Sequence, residues 1–101
     1  MRDMRKYIDL LCSIIECAEK EKKKLFEHKS SLWSIDLLQG VVIPEIAELL
    51  SYARRGIVLY KYGKKHRLLK SVYFMSDSLN NLSSTTLGAL LICLQDLYNK
   101  L

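Results

Sequence analysis

The strongest constraint on the fold of this 101-residue chain is a run of eight residues that contains no polar side chain, residues 87–94 (LGALLICL). An amphipathic helix carries one apolar stripe, whereas a helix that is apolar on all sides is buried in a core or in a membrane. The run is too short to cross a bilayer, which takes about 20 residues. We therefore expect no membrane contact. We expect the C-terminal helix to be either the central helix of a bundle or the surface that two copies of the chain share, with Gly88 and Ala89 allowing a neighbour to approach closely.

The composition is that of one folded helical domain covering residues 1–101. Half of the residues are apolar, and the chain contains one proline and four glycines, unlike a disordered segment. The apolar run near the N-terminus resembles a signal peptide only superficially, because Asp9 interrupts it. The three cysteines stand at uneven spacing and form no disulfide framework. We therefore expect a reducing, cytoplasmic compartment.

Apolar residues recur at the helical spacing of three and four in four segments of the chain. The predicted helices lie near residues 3–28, 31–62, 64–80 and 84–101. Because short turns join them, neighbouring helices should be antiparallel, and the predicted fold class is an all-α antiparallel four-helix bundle. We expect Ser30 and Ser31 to supply the N-cap of the second helix and Ser84 that of the fourth. Trp33 and Tyr98 should be largely buried.

Two features of the second helix leave alternatives open. The apolar spacing passes through Pro44 without losing phase, which favours a helix kinked at Pro44, with Gly40 four residues earlier to absorb the distortion. The alternative is a break, with Pro44 at the first position of a new helix. Residues 57–62 are rich in β-branched and aromatic types, but a strand there needs a partner. We therefore predict a helix that continues to residue 62 and stops at Gly63, with a strand paired across a dimer as the alternative.

We also expect a homodimer with two-fold symmetry. At 1.5 Å per residue the first predicted helix is about 39 Å long, whereas the fourth is about 26 Å long and cannot cover it. Part of the apolar stripe of the first helix, which runs from Met4 to Leu25, would then be left for a second copy of the chain.

The sequence contains no arrangement of residues typical of catalysis or metal binding. Neither His28 nor His66 has a histidine, cysteine or carboxylate at the spacing of CxxC or HExxH motifs. The four glycines do not form a phosphate-binding loop. Cys93 lies within the apolar run, where burial should make it a small, unreactive hydrophobic residue. We therefore predict no catalytic residue, no metal and no cofactor.

Positive charge is concentrated in one segment. Residues 54–70 carry a charge of +7 and no acidic residue, whereas the rest of the chain carries −2, which gives the net charge of +5. The predicted site residues are the bases of this segment: Arg54, Arg55, Lys61, Lys64, Lys65, Arg67 and Lys70. The charge of Lys61 would interact favourably with the end of the second predicted helix. Lys64, Lys65 and Arg67 would begin the third, where positive charge is unfavourable by about 0.3–1 kcal/mol each.

Several interpretations of this basic segment remain open. It could be a solvated turn whose charges pair with Asp3, Asp9 and Glu16 of the first helix. Our preferred hypothesis is a non-catalytic interaction or regulatory module that binds an acidic protein partner through these bases. The alternative is a nucleic-acid-binding protein, because three tyrosines are interleaved with the bases, although no known nucleic-acid-binding motif is readable. A small-ligand sensor or an enzyme with a site in the bundle core ranks third.

Overall fold

The computed structural model describes residues 4–29, 31–59, 68–76 and 82–100. All regular structure in these ranges is helical. The four helices are α1 (Met4–Phe26), α2 (residues 35–53), α3 (Lys70–Ser76) and α4 (Thr86–Lys100), and a 3-10 turn, Leu82–Ser84, precedes α4. The predicted all-α class is confirmed for the described residues, and the four helices are compatible with a bundle. No helix in these ranges is both long enough and apolar enough to span a membrane.

Helix α1 is amphipathic, as its sequence spacing predicts. It buries Tyr7, Leu11, Ile14 and Ala18, which are spaced four, three and four residues apart and therefore share one face. This face packs against α2 and α4 of the same chain. The stripe on which the homodimer prediction was based is therefore largely covered within one chain. The homodimer itself stays a prediction.

Helix α2 begins later than predicted. Its N-cap is Ser34, whose Oγ accepts a hydrogen bond from the Leu37 amide at 3.1 Å. The hydroxyl of Ser31 instead donates to Glu21 Oε2 at 2.7 Å, which ties the α1–α2 connection back to α1. The prediction of a cap at Ser31 was wrong, because the helix begins only at Ile35, after Ser34. The Ser31 hydroxyl accepts from the Trp33 amide at 3.1 Å, before the helix starts. Ser30 lies outside the described residues.

The middle of α2 contains one π-helical turn. The chain passes from Ile35–Leu37 through a π segment, Leu38–Val42, into the α-helical segment Ile43–Ala53. The Ile43 amide donates to the carbonyl of Leu38, five residues back, instead of four. Pro44 follows this turn and has no N–H, so it cannot donate the hydrogen bond that a regular α-helix makes to the carbonyl four residues earlier. The π turn therefore lies directly before the position where the α-helical hydrogen bonds are interrupted. A kink at Pro44 stays a prediction.

Helix α2 ends at Ala53 in a Schellman motif, not at residue 62. Gly56 has a φ of 78°, and its amide donates to the Ala53 carbonyl at 2.9 Å, while the Ile57 amide donates to the Tyr52 carbonyl at 3.0 Å. Residues 57–59 have no regular structure, so the predicted helix is wrong there. The alternative, a strand paired across a dimer, stays a prediction. The spacing was misleading because Ile57, four residues after Ala53, continues the apolar stripe in the sequence but is 45% exposed and lies beyond the end of the helix. Gly63 and residues 60–62 lie outside the described ranges.

The third helix starts later than residue 64. Leu68 and Leu69 precede α3 and are not helical. Leu69 is fully buried, whereas Leu68 is 51% exposed. Helix α3 buries Ser71, Val72 and Met75. Residues 77–80, the predicted end of this helix, lie outside the described part of the chain.

Helix α4 is capped by Thr85, not by Ser84 as predicted. The Thr85 hydroxyl accepts from the Gly88 amide at 3.0 Å and from Trp33 Nε1 at 3.1 Å, and it donates to the Leu82 carbonyl at 2.6 Å. One hydroxyl thus connects the start of α4, the 3-10 turn and the Trp33 side chain. Trp33 is 2% exposed and Tyr98 is fully buried, which confirms both burial predictions.

The apolar run at residues 87–94 is buried on one side only. Its buried residues are Leu87, Gly88, Leu91 and Leu94, whereas Ala89, Ile92 and Cys93 are exposed. The prediction of a central helix was therefore wrong, because this run lies on one flank of the core of the chain. The alternative, a surface that two copies share, stays a prediction. Cys93 is accordingly exposed and not buried as predicted. The close approach at Gly88 is present, since the backbone of the Leu82–Ser84 turn lies directly against it.

Candidate interaction surface

The structure describes three of the seven predicted site residues: Arg54, Arg55 and Lys70, all of which are exposed. The other four, Lys61, Lys64, Lys65 and Arg67, lie outside the described residues. The chain segment that carries these four leaves the described structure after Leu59 and re-enters it at Leu68. The candidate surface is therefore built from the described bases and from the residues that fix these two chain ends.

Arg54 and Arg55 lie at the C-terminal end of α2. The partial negative charge at a helix C-terminus favours cations, so both residues have a local structural explanation. The Arg55 guanidinium also lies 4.6 Å from the centroid of the Tyr52 ring, within the range of a cation–π contact. This contact keeps the Arg55 charge next to the body of the protein without neutralising it.

Lys70 begins α3, where its positive charge lies at the unfavourable end of the helix. The compensating negative charge comes from Glu45 on α2. Its carboxylate accepts hydrogen bonds from the Lys70 amide at 2.8 Å, the Ser71 amide at 2.8 Å and the Ser71 hydroxyl at 2.7 Å. Glu45 therefore caps a helix that starts 25 residues later in the chain. Sequence analysis missed this role, because no local pattern links a carboxylate to so distant a helix start.

Both chain ends that flank the undescribed bases are held against α4. The Leu69 amide donates to Gln95 Oε1 at 2.8 Å, and the Tyr98 hydroxyl donates to the Leu59 carbonyl at 2.8 Å. Gln95 and Tyr98 are three residues apart and therefore lie about one turn apart on α4. The segment that carries the four remaining bases is thus attached at both ends to the same short part of one helix.

The structure does not bring all three described bases to one point. Lys70 is held at Glu45, which lies nine residues before Arg54 on α2. At 1.5 Å per residue this separation along the helix axis is about 14 Å. The bases are therefore spread along the molecule, with the two arginines at one position and Lys70 at another.

Within the described ranges, Arg54, Arg55 and Lys70 take part in no ion pair. In particular, neither Asp9 nor Glu16 of α1 pairs with them. Asp3 lies outside the described residues. For these three bases, the interpretation as a turn neutralised by α1 is therefore not supported.

The lysines near the C-terminal end of α1 behave differently. Lys23 and Lys29 each pair with Glu27, at 3.8 and 3.1 Å, and Lys24 pairs with Glu21 at 3.3 Å. Such exposed pairs contribute little to stability, but they give each of these three lysines a carboxylate partner. Segment 54–70 contains no acidic residue that could do the same.

Exposed apolar side chains accompany Lys70. Tyr73 and Phe74 on α3 are 54% and 46% exposed, and Leu68 just before the helix is 51% exposed. The two rings form an edge-to-face pair with centroids 5.4 Å apart and an interplanar angle of 84°. Tyr73 is one of the three tyrosines noted in the sequence among the bases. Phe74 was missed, because the sequence does not show where α3 starts and therefore which of its faces is exposed.

A small cleft borders Lys70. It lies between the middle of α2, Leu59 and Lys70 and has a volume of about 210 Å³, less than the roughly 300–1,000 Å³ of typical ligand pockets. Among the described residues, no three histidine, cysteine or carboxylate side chains come together as a metal site. Burial, together with the nearby charge of Glu21, raises the pKa of the Cys17 thiol, which disfavours a reactive thiolate.

Comparison of the chain with protein families, with curated proteins and with solved structures yields no match.

Proposed function

We propose that this protein is a non-catalytic interaction or regulatory module that binds an acidic protein partner through the bases of residues 54–70. The proposal is supported by the exposure of the described bases and by their lack of ion pairs. Arg54, Arg55 and Lys70 are exposed and form no ion pair within the described structure. An acidic surface would supply the carboxylates that the segment itself lacks.

The charge distribution supports a localised interaction. Residues 54–70 carry +7 while the rest of the chain carries −2, so an acidic partner would be attracted to one region of the protein. At physiological salt such attraction acts over about 8 Å, so the bases nearest the partner contribute most to the binding free energy. Binding of this kind should therefore weaken as salt rises and should depend on particular residues, not on net charge alone.

Nucleic acid is the alternative partner for the same bases. The half-exposed ring of Tyr73, three residues after Lys70, favours this second candidate, because single strands bind by stacking bases on aromatic side chains next to cations. An acidic protein is preferred because Leu68, also exposed beside Lys70, offers aliphatic surface that a phosphate backbone would not use.

The two partners are distinguished by titration against three probes of matched length: poly-L-glutamate, a single-stranded oligonucleotide and duplex DNA. Fluorescence anisotropy would report binding at salt concentrations from about 50 to 200 mM, the range over which phosphate contacts weaken strongly. We expect saturable binding to poly-L-glutamate that weakens with salt. Absence of that binding at about 50 mM salt would overturn the proposal, and tight binding to DNA alone would establish the alternative.

We further propose that the module is a cytoplasmic homodimer. The exposed side of α4, with Ala89, Ile92 and Cys93, is the surface that would be shared by two copies, and free cysteines are expected in a reducing compartment. Sedimentation at about 50 µM should show a dimer, and Ile92→Gln should shift the protein toward monomer at that concentration. A parent protein that is monomeric under these conditions would refute the dimer.

A further inference from the structure

The outer face of α3 combines exposed aromatic rings with an unpaired cation. Helical geometry places Lys70, Tyr73 and Phe74 on one side of this helix, because they are three and four residues apart. Ser71, Val72 and Met75 occupy the opposite side and are buried. The two sets do not overlap, so α3 has one face in the core and one face that nothing in the described chain covers.

The exposed apolar area on this face can be estimated from the exposed fractions of its side chains. A fully buried aromatic side chain removes about 150–250 Å² from water, so Tyr73 and Phe74, each about half exposed, leave roughly 100 Å² each accessible. With Leu68 the exposed apolar area approaches roughly 300 Å², the lower range of the largest patch on a typical monomer, which is often functional. Tyrosine and phenylalanine are also enriched in protein interfaces.

The start of α3 is held in place by polar contacts from two neighbouring helices. Glu45 of α2 binds the first amides of the helix, and Gln95 of α4 binds the Leu69 amide just before it. The two rings also contact each other edge to face, which limits their side-chain motion. A partner would therefore meet a largely preformed surface and lose little free energy in ordering it.

The charge on this face is positive. Lys70 is exposed and forms no ion pair in the described structure. A complementary surface must therefore offer both apolar side chains and carboxylates. Helices pack by placing the side-chain ridges of one against the grooves of another, and an amphipathic helix presents such ridges on a single face.

We propose that the outer face of α3, formed by Lys70, Tyr73 and Phe74, together with Leu68 just before the helix, is the docking site for an acidic amphipathic helix of a partner protein. The apolar face of that helix covers the two rings, and a carboxylate on its flank lies against Lys70. This inference rests on the proposed function, since it specifies which kind of acidic partner the module binds.

The test compares two synthetic peptides of about 20 residues with identical composition, rich in glutamate and leucine. In the first, leucines recur at the spacing of three and four that gives one apolar helix face; in the second, the same residues are scrambled so that no face forms. We expect the parent protein to bind the amphipathic peptide at least tenfold more tightly than the scrambled one. Equal affinities, with salt-dependent binding still present, would overturn this inference and leave the proposed function standing. If neither peptide bound at about 50 mM salt, the proposed function would fail as well.

Two single variants locate the site. Tyr73→Gln and Phe74→Gln should each reduce the preference for the amphipathic peptide at least threefold while leaving affinity for the scrambled peptide unchanged. Phe26→Gln is the matched control, because Phe26 is an exposed phenylalanine, 62% accessible, at the end of a different helix. An equal loss in the control would place the apolar contact elsewhere. If the Tyr73 and Phe74 variants instead lost affinity for a single-stranded oligonucleotide and not for the peptide, the face would be a base-stacking surface and the inference would be overturned.

Discussion

Replacing Gly88 by alanine tests the packing of α4 most sharply, because the structure predicts a sign opposite to helix propensity. Alanine in a helix interior is ordinarily more stable than glycine by about 1 kcal/mol. A Cβ atom at Gly88, however, would lie 2.7 Å from the Leu82 carbonyl carbon and 2.9 Å from Ser83 Cα, with the Leu82 carbonyl oxygen closer still. These atoms belong to the backbone and cannot rotate away, so the 3-10 turn must move.

The loss of stability expected for Gly88→Ala follows from the contacts that this turn makes. Leu82 is 2% exposed, and the Thr85 hydroxyl next to the turn bonds to Leu82, Gly88 and the Trp33 ring. Forcing an extra carbon into a packed site costs about 1–3 kcal/mol, and weakening an N-cap costs about 1 kcal/mol. After subtracting the propensity gain of about 1 kcal/mol, we expect Gly88→Ala to lower the free energy of unfolding by about 1–3 kcal/mol.

The matched control is Gly40→Ala in α2. A Cβ at Gly40 would have no heavy atom within 4 Å, so this variant should gain about 0.5–1 kcal/mol. Urea unfolding, followed by circular dichroism and by the fluorescence of Trp33, would give both values from the shift in midpoint at an unchanged slope. If Gly88→Ala were as stable as the parent, or if both variants shifted in the same direction, the close approach of the turn to α4 would be refuted.

Three further predictions follow from burial, capping and thiol environment. Leu91→Ala should lower the free energy of unfolding by about 2–5 kcal/mol because Leu91 is fully buried, whereas Ile92→Ala should lower it by less than about 1 kcal/mol; similar losses would contradict the one-sided burial of α4. Glu45→Ala should cost about 2–4 kcal/mol, since it removes three hydrogen bonds to a charged acceptor, and hydrogen exchange should become faster at the start of α3 first. At about pH 8, alkylation followed by mass spectrometry should modify Cys93 before Cys17, because burial raises the pKa of Cys17 and lowers its thiolate fraction; the reverse order would contradict this.

The parts of the fold that sequence analysis predicted correctly are those fixed by local periodicity. Tyr7, Leu11 and Ile14 share a helix face by spacing alone, and the structure buries that face. The errors came from features that spacing does not determine. An apolar residue such as Ile57 continues the helical spacing after the helix has ended, although it is exposed. A glycine such as Gly56 ends a helix only when its backbone adopts positive φ.

The candidate surface was predictable in its charge but not in its geometry. Counting bases located the segment, since residues 54–70 contain no acidic residue. The separation of Lys70 from the two arginines depends on Glu45, and the exposed face of α3 depends on where that helix starts. Both depend on contacts between residues that are distant in the sequence.

The central claim is that particular unpaired bases bind an acidic partner, and two charge-matched triple variants test it most directly. The first replaces Arg54, Arg55 and Lys70 by glutamine. The second, the α1 variant, replaces by glutamine three ion-paired lysines in the last turn of α1 and just after it: Lys23, Lys24 and Lys29. Both change the net charge by three units, so an effect of net charge alone would be equal in the two variants.

The measurement is the affinity of each variant for poly-L-glutamate at about 100 mM salt, where the Debye length of about 10 Å makes local charge dominate. Our account predicts a loss of at least tenfold for the variant of Arg54, Arg55 and Lys70 and a loss of less than about threefold for the α1 variant, a difference of at least about 0.7 kcal/mol. Thermal unfolding of both variants would verify that they are folded. Equal losses in the two variants would contradict the claim and would show that binding follows net charge instead of this surface.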